Sequence, residues 1–384
     1  MSERVLSAAE LSRATLGRQL LLERAALDPV SAIERLVALQ AQEAASPHLA
    51  LWTRLAGFDA GRLNDAFSDR LVVKGTLLRV TLHAVSARDY LHFWPAVAAS
   101  LQRWRAPILR QLDLGSDLAV LADQASRFAE EPRTGPELRD HLPRLAGGVG
   151  PGGQSDSWWA VRPLLPMLMA PGELPWSFGR RPRFVTASAW LRAELASEIE
   201  GLEHLIRRYL AGFGPAGVDD IHQFSQIRTS DLRAALERMS AELVRFRDER
   251  GRLLYDVPDG LLPAAETPAP VRFLPMWDSL LLAYADRGRV LPERYRRRVI
   301  QSNGDFLPSF LVDGHVAGLW RADVVDGRAK VTPLPFEPPS AAIEVELAAE
   351  AALLERFIDP LEPSVYARYS KTWLSNGRSP VPSA

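Results

Sequence analysis

Two amides, Gln40 and Gln42, have the type and spacing to do chemistry together; they lie in LQAQEAASPHLALW, residues 39 to 52. On a continuing helix, side chains two apart point to different faces, so one amide would meet the core and the other water. In extended chain they share a face. The pair makes common chemical sense only if the helix PVSAIERLVALQ ends near Gln40 and the chain runs extended to a new helix. There Ser46 would cap and Pro47 would take the first turn. A solvated helix end is the alternative reading.

Other chemistries find little support. Cysteine is absent, which excludes thiol catalysis, disulfides and thiolate metal sites and suits a cytoplasmic protein. The seven histidines (His48, His83, His92, His141, His204, His222 and His315) show no paired helical spacing for zinc, and HExxH and Walker patterns are missing. SDSWW has serines without an elbow motif. Only Lys74, Lys330 and Lys371 are lysines, and none lies near Gln40 in sequence.

The elements that must position the amides read as follows. Residues 7 to 68 carry four helices with apolar residues at three and four spacing: SAAELSRATLGRQLLLERA, PVSAIERLVALQ, PHLALWTRLAGF and AGRLNDAFSDR. RLVVKGTLLRVTLHAV then alternates and is β-branched, which predicts a hairpin turning at Lys74, Gly75 and Thr76. Helices followed by a two-stranded hairpin describe a winged helix.

A similar order recurs. After a helical stretch from Ser86 to about Glu131, TGPELRDHL has Thr134 and Glu137 at capping-box spacing. SDSWWAVRPLLPMLMA predicts a helix bent or shortened by Pro163 and Pro166, and GELPWSFGRRPRFVTA a second hairpin. A third round runs through IEGLEHLIRRYLAGFG, PAGVDDIHQFSQI and TSDLRAALERMS to ELVRFRDERGRLLYDV, a hairpin turning at Glu249 to Gly251. These are read as three winged-helix motifs: residues 1–131 with connecting helices, 132–198 and 199–267. From 268 to 384 the Asp-Gly pairs at 313–314 and 326–327 signal hairpins of a β-barrel-like region. The acidic helix SAAIEVELAAEAALLERFI and a poorly ordered tail after Pro363 follow.

With 384 residues, two to four modules of usual size are expected. The amino terminus lacks a signal peptide's apolar segment, and no apolar run has membrane-spanning length, so the chain reads as soluble. The net charge of −1 argues against nucleic acid at first sight. It hides an asymmetry: residues 337 to 362 carry seven acids against Arg356, a net of −6, which leaves +5 elsewhere. Arginines cluster in SLQRWRAPILR (100–110), GRRPR (179–183) and RGRVLPERYRRR (287–298), as phosphate contacts or as solvated faces.

Five segments, LVALQAQEAASPHLALWTRLAGF, TLLRVTLHAVSARDY, RYLAGFGPAGVDDI, RFLPMWDSLLLAYADRGRVL and FLVDGHVAGLWR, resemble in content and order the AlkZ and YcaQ family of tandem winged-helix DNA glycosylases. The likeness spans roughly residues 10 to 360. The family signature is glutamine, an apolar residue, then glutamine in AlkZ-like or aspartate in YcaQ-like members; Gln40-Ala41-Gln42 is AlkZ-like. The resemblance implies an α+β fold of three tandem winged helices in a C-shaped arrangement, closed by a C-terminal β-barrel, with DNA on the concave face. Gln40 and Gln42 become the candidate catalytic pair. The family pattern Arg, Gly, Thr, Leu, His falls on Arg79, Val80, Thr81, Leu82 and His83, with the glycine replaced. Arg79, Thr81 and His83 are candidate DNA-binding residues, a buried strand threonine and a structural histidine being the alternatives. DGHVAGLW, with His315 near its tip and Arg321 just beyond, is the candidate duplex probe, or else a plain barrel turn.

A glutamine amide orients water and offers its carbonyl dipole but is no general base. The substrate must therefore arrive activated, as purines alkylated at N7 or N3 do: they are cationic and leave neutral. Lysine scarcity favours a monofunctional, water-using enzyme over one with an amine nucleophile. The expected function is hydrolysis of the N-glycosidic bond of bulky or crosslinked N7-alkylpurines in double-stranded DNA, in self-resistance to an alkylating natural product. No metal, no cofactor and no membrane are expected, and the protein is read as a cytoplasmic monomer. The rival reading is a non-catalytic winged-helix transcriptional regulator, which has no need of the glutamine pair.

Overall fold

The computed structural model describes residues 3–111, 117–143, 157–172 and 174–369. Strand β1 (Arg4–Leu6) leads into helix α1 (Ala8–Arg18), which starts at a capping box between Ser7 and Glu10. Asp28 caps α2 (Pro29–Leu36), with Pro29 in the first turn, where its missing N–H goes unneeded. Val37 turns to φ 73° and stops the helix about a turn before Gln40, and the chain runs extended as β2 (Leu39–Gln40). Gly212, from a later helix, lets this bend approach closely: a Cβ there would lie 2.6 Å from Val37 Cγ2. α3 (Ser46–Trp52) has Pro47 in its first turn as expected, but Ser46 does not cap it; its buried hydroxyl bonds the Tyr366 hydroxyl at 2.8 Å. α4 (Ala60–Ser68) completes the first helical set.

β3 (Val72–Thr76) and β4 (Leu82–Ser86) make the expected hairpin with a different turn. Lys74, Gly75 and Thr76 are in the strand, paired with Ala84, His83 and Leu82, and a 3-10 turn over Leu78–Val80 makes the connection. Gly75 serves close packing instead of a turn, since a Cβ there would sit 3.0 Å from both Tyr90 and the Met167 carbonyl.

The second round comprises α5 (Ala87–Gln111), α6 (Asp117–Phe128), β5 (Arg133–Thr134) and α7 (Gly135–His141), whose Thr134–Glu137 capping box is present. α8 (Ser157–Val161) ends where Pro163 enters, and MLMA, expected as helix, is strand β6 (Met167–Ala170). It pairs with β7 (Arg183–Thr186), so the second hairpin begins earlier than the sequence suggested; α9 (Ala187–Leu191) follows. One six-stranded sheet runs through both rounds in the order β2-β4-β3-β6-β7-β5. Val73, Val85, Leu168 and Val185 on one face join Tyr90, Leu205 and Tyr209 in a core; Leu39, Val72 and Ala84 on the other join Ile33, Leu51 and Phe67.

α10 (Glu198–Phe213), α11 (Val218–Ser225) and α12 (Thr229–Arg238) precede the hairpin β8 (Val244–Asp248) and β9 (Leu253–Asp256), which turns at Gly251 as expected. β1 adds in parallel to β8. Then come β10 (Arg272–Leu274), α13 (Arg296–Val299), β11 (Ser309–Val312), β12 (His315–Val325) and β13 (Arg328–Pro335). Both Asp-Gly pairs turn with two positive φ angles. Among the described residues no barrel closes: β10-β11-β12-β13 is an open antiparallel sheet. Its apolar face is covered by α14 (Ala341–Ile358), whose Leu347, Ala351, Leu354 and Ile358 share a core with Phe273, Phe310 and Trp320. That cover buries the sheet without curling it shut. Val365 and Tyr366 are buried, so the tail is packed at least that far; residues from 370 on, Lys371 included, lie outside the described residues.

Candidate active site

Gln40 reaches the site because β2 pairs with β4, in register with His83. The next residue extends the ladder, Ala41 N–H donating to the Leu82 carbonyl at 2.8 Å, and Gln42 Oε1 then accepts from Leu82 N–H at 2.8 Å. Gln40 is buried and Gln42 exposed. Arg79 projects from the 3-10 turn, where it and Val80 hold φ of 51° and 59°. Its Nη2 donates to Gln40 Oε1 at 2.9 Å and to His83 Nε2 at 3.1 Å, and its Nη1 donates to the Phe224 carbonyl at 2.8 Å. The guanidinium also stands 5.3 Å from the centre of the Phe224 ring. Arginine and backbone N–H groups only donate, so both glutamine oxygens are identified and both Nε2 atoms face elsewhere. Among the described residues neither Nε2 has a hydrogen-bond partner.

The electrostatics follow from burial. His83 is held well below its usual pKa, first by burial and then by Arg79, and is neutral. Nδ1–H donating to the Thr81 carbonyl at 3.0 Å leaves Nε2 free to accept from Arg79, which fixes the tautomer. Burial, reinforced by Arg287, pulls Arg79 down to about 9, still a cation at neutral pH. No carboxylate pairs with it among the described residues. Glu43, which follows Gln42 in sequence, is occupied by Arg368 and by the Tyr369 hydroxyl at 2.7 Å. Two amides, a neutral imidazole and one unneutralised guanidinium make a site able to hydrogen-bond and to present positive charge, with no strong base.

The AlkZ-like DNA glycosylase family model matches residues 33–357, a span that contains all of these side chains. The chain belongs to the AlkZ-like DNA glycosylases. Its fold matches that of Streptomyces sahachiroi DNA glycosylase AlkZ with a TM-score of 0.75 at 20% identity, covering 92% of this chain and 97% of that one. No curated protein sequence matches it.

The candidate site brings Gln40, Gln42, Arg79 and His83 together, whereas Thr81 contributes its carbonyl, its hydroxyl being bonded to the Leu78 carbonyl at 3.0 Å. His315 and Arg321 are elsewhere. The Asp313–Gly314 turn is packed on α1, where Arg13 bonds Asp313 and a Cβ on Gly314 would strike Leu16, so this hairpin does not project as a probe. His315 Nδ1 faces the Asp313 carbonyl, and Arg321 sits 2.9 Å from Asp323 on its own strand. Phe224 and the Leu82 N–H were not visible in sequence, since a backbone group carries no residue signal. Arg287 was, within RGRVLPERYRRR.

Proposed function

We propose that this glycosylase is monofunctional and hydrolyses the N-glycosidic bond of N7-alkylpurines, bulky or crosslinked adducts included, a chemistry suited to self-resistance against a DNA-alkylating natural product. The observation that carries the reading is the pair Gln40 and Gln42 at one sheet end without an available carboxylate. Such a site cannot deprotonate water or protonate an ordinary base strongly, so it suits a base that already carries positive charge and leaves neutral. Lys74 supports the monofunctional reading. It shares a sheet face with Ala84 and Leu39, whereas Gln40 shares the other with His83 and Gly75. Burial brings its amine down to about 8, yet it points away from the amides.

The repeated helix-and-hairpin order supports residues 1–131, 132–198 and 199–267 as three winged-helix units, with 268–384 as the last unit and DNA held on a concave face. Cations run on from the amides: Arg287 lies close enough to lower the pKa of Arg79, and Arg296 that of Arg287, in each case after the larger effect of burial. The test is incubation with duplexes carrying N7-alkylguanines of increasing size, followed by hot alkali. Strand scission only after alkali, at adducted and not at plain guanine, is expected. Scission without alkali, or none with any adduct, would sink the reading.

A further inference from the structure

We propose that Gln40 donates a hydrogen bond to the departing base, and that Arg79 is the positioning residue that fixes it in that sense. The inference rests on the glycosylase reading above and gives the two amides separate tasks. Arg79 cannot accept, so its contact with Gln40 at 2.9 Å occupies the oxygen and turns the NH₂ outward. Gln40 is 5% exposed, and its Nε2 has no acceptor among the described residues. The NH₂ is not among the side-chain groups buried without a partner, so it is the end of this otherwise buried residue that stays open to solvent and to a ligand. Arg79 is itself held on three neutral acceptors, Gln40, His83 and the Phe224 carbonyl, so the amide cannot flip without breaking that set. Its charge polarises the amide from oxygen to nitrogen and makes the N–H a stronger donor.

Donation to the nucleophilic water would weaken the water as a nucleophile. Donation to the base does the reverse. As the C1′–N9 bond breaks, its electron pair goes to N9, the cationic purine becomes neutral, and electron density rises at its ring acceptors, N3 beside the broken bond and O6. A donor there binds the transition state more tightly than the ground state. Gln42, exposed and with a second lone pair on its oxygen, remains for water.

The test is single-turnover excision of 7-methylguanine from duplex DNA. Gln40→Glu keeps the shape but replaces the donor with an acceptor. It should be as slow as Gln40→Ala, about 100-fold or more below the parent. Arg79→Met should fall comparably with DNA affinity kept, Arg79→Lys should recover part of the rate, and Arg79→Met/Gln40→Ala should be no slower than either single change. Parent-like excision by Gln40→Glu, or additive losses in the double variant, would overturn the proposal. If the parent excises nothing, the substrate reading fails, and the Arg79 contact is judged separately by carbon NMR of the free protein. The new carboxyl of Gln40→Glu should titrate below the usual carboxylate range and return toward it with Arg79→Met. Equal titration in both backgrounds overturns the positioning role.

Discussion

Arg54 and Asp278 meet fork to fork: Nη1 and Nη2 each donate to one carboxylate oxygen at 2.8 Å, and both side chains are 1% exposed. Arg54 also donates to the carbonyls of Gln19 and Ala50, so one guanidinium joins the first helices to the chain after β10. Removing one partner strands a buried charge. Asp278→Ala should cost about 3–5 kcal/mol in urea unfolding, and replacing both residues by leucine should cost less than that single change.

Gln42→Asp recreates the aspartate form of the signature. Its carboxylate can still accept from Leu82 N–H, though it is one methylene shorter. Substantial excision of cationic N7-alkylpurines should persist, with a new pH dependence near the acid's pKa and no action on undamaged DNA. Gln42→Ala should lose on the order of 100-fold in single-turnover rate with DNA binding retained. Equal loss in both variants would mean that Gln42 works through its NH₂.

His48 is fully buried, with Nε2 2.9 Å from Asn64 Oδ1, and burial pushes its pKa to about 4. The unfolded chain takes up this proton near pH 6.5, the folded chain only near 4. Stability from this group is therefore complete above pH 6.5 and declines as the pH falls toward 4. Between pH 7 and 5 the loss should be about 2 kcal/mol, and His48→Gln should flatten that slope in urea midpoints. His83 shifts the same way.

Val80 holds φ 59°, a conformation that costs a β-branched residue about 1–2 kcal/mol and costs glycine nothing. Val80→Gly should change stability by no more than about 1 kcal/mol, because relief of strain offsets the lost side chain. Val85→Gly, at a fully buried and extended position, should cost about 2 kcal/mol or more by the same thermal unfolding measurement.

If arginines bind the DNA backbone, affinity for undamaged duplex should fall with salt at a log-log slope of about −0.9 per phosphate contact. Arg287→Gln and Arg296→Gln should each make the slope shallower by about 1. A flat salt response in the parent would exclude this rim as a DNA surface.

Much of the site was legible because its carriers have side-chain signals. Gln40 and Gln42 stood out as amides two apart, and Thr134 opened its helix by a capping box with Glu137, chemistry that is local in sequence. Where local rules were overridden, tertiary packing was the cause. Lys74-Gly75 looks like a turn until Tyr90 is seen to need the space above Gly75. MLMA looks helical until β7 pairs with it. The expected barrel stayed an open sheet because α14 covers its apolar face, and Ser46 abandoned capping for Tyr366, far along the chain.

Leu168, Gly75, His83 and Gln40 are successive partners on a single rung of the six-stranded sheet. The second helical round is thus rigidly geared to the amide: it cannot swing away from the first without tearing the β3–β6 pairs at Lys74 and Gly75. On the other side Arg79 Nη1 donates to the Phe224 carbonyl at 2.8 Å and joins the turn after β3 to α11. One guanidinium thus ties the sheet that carries Gln40 to α11, so a shift of either one reaches the amide.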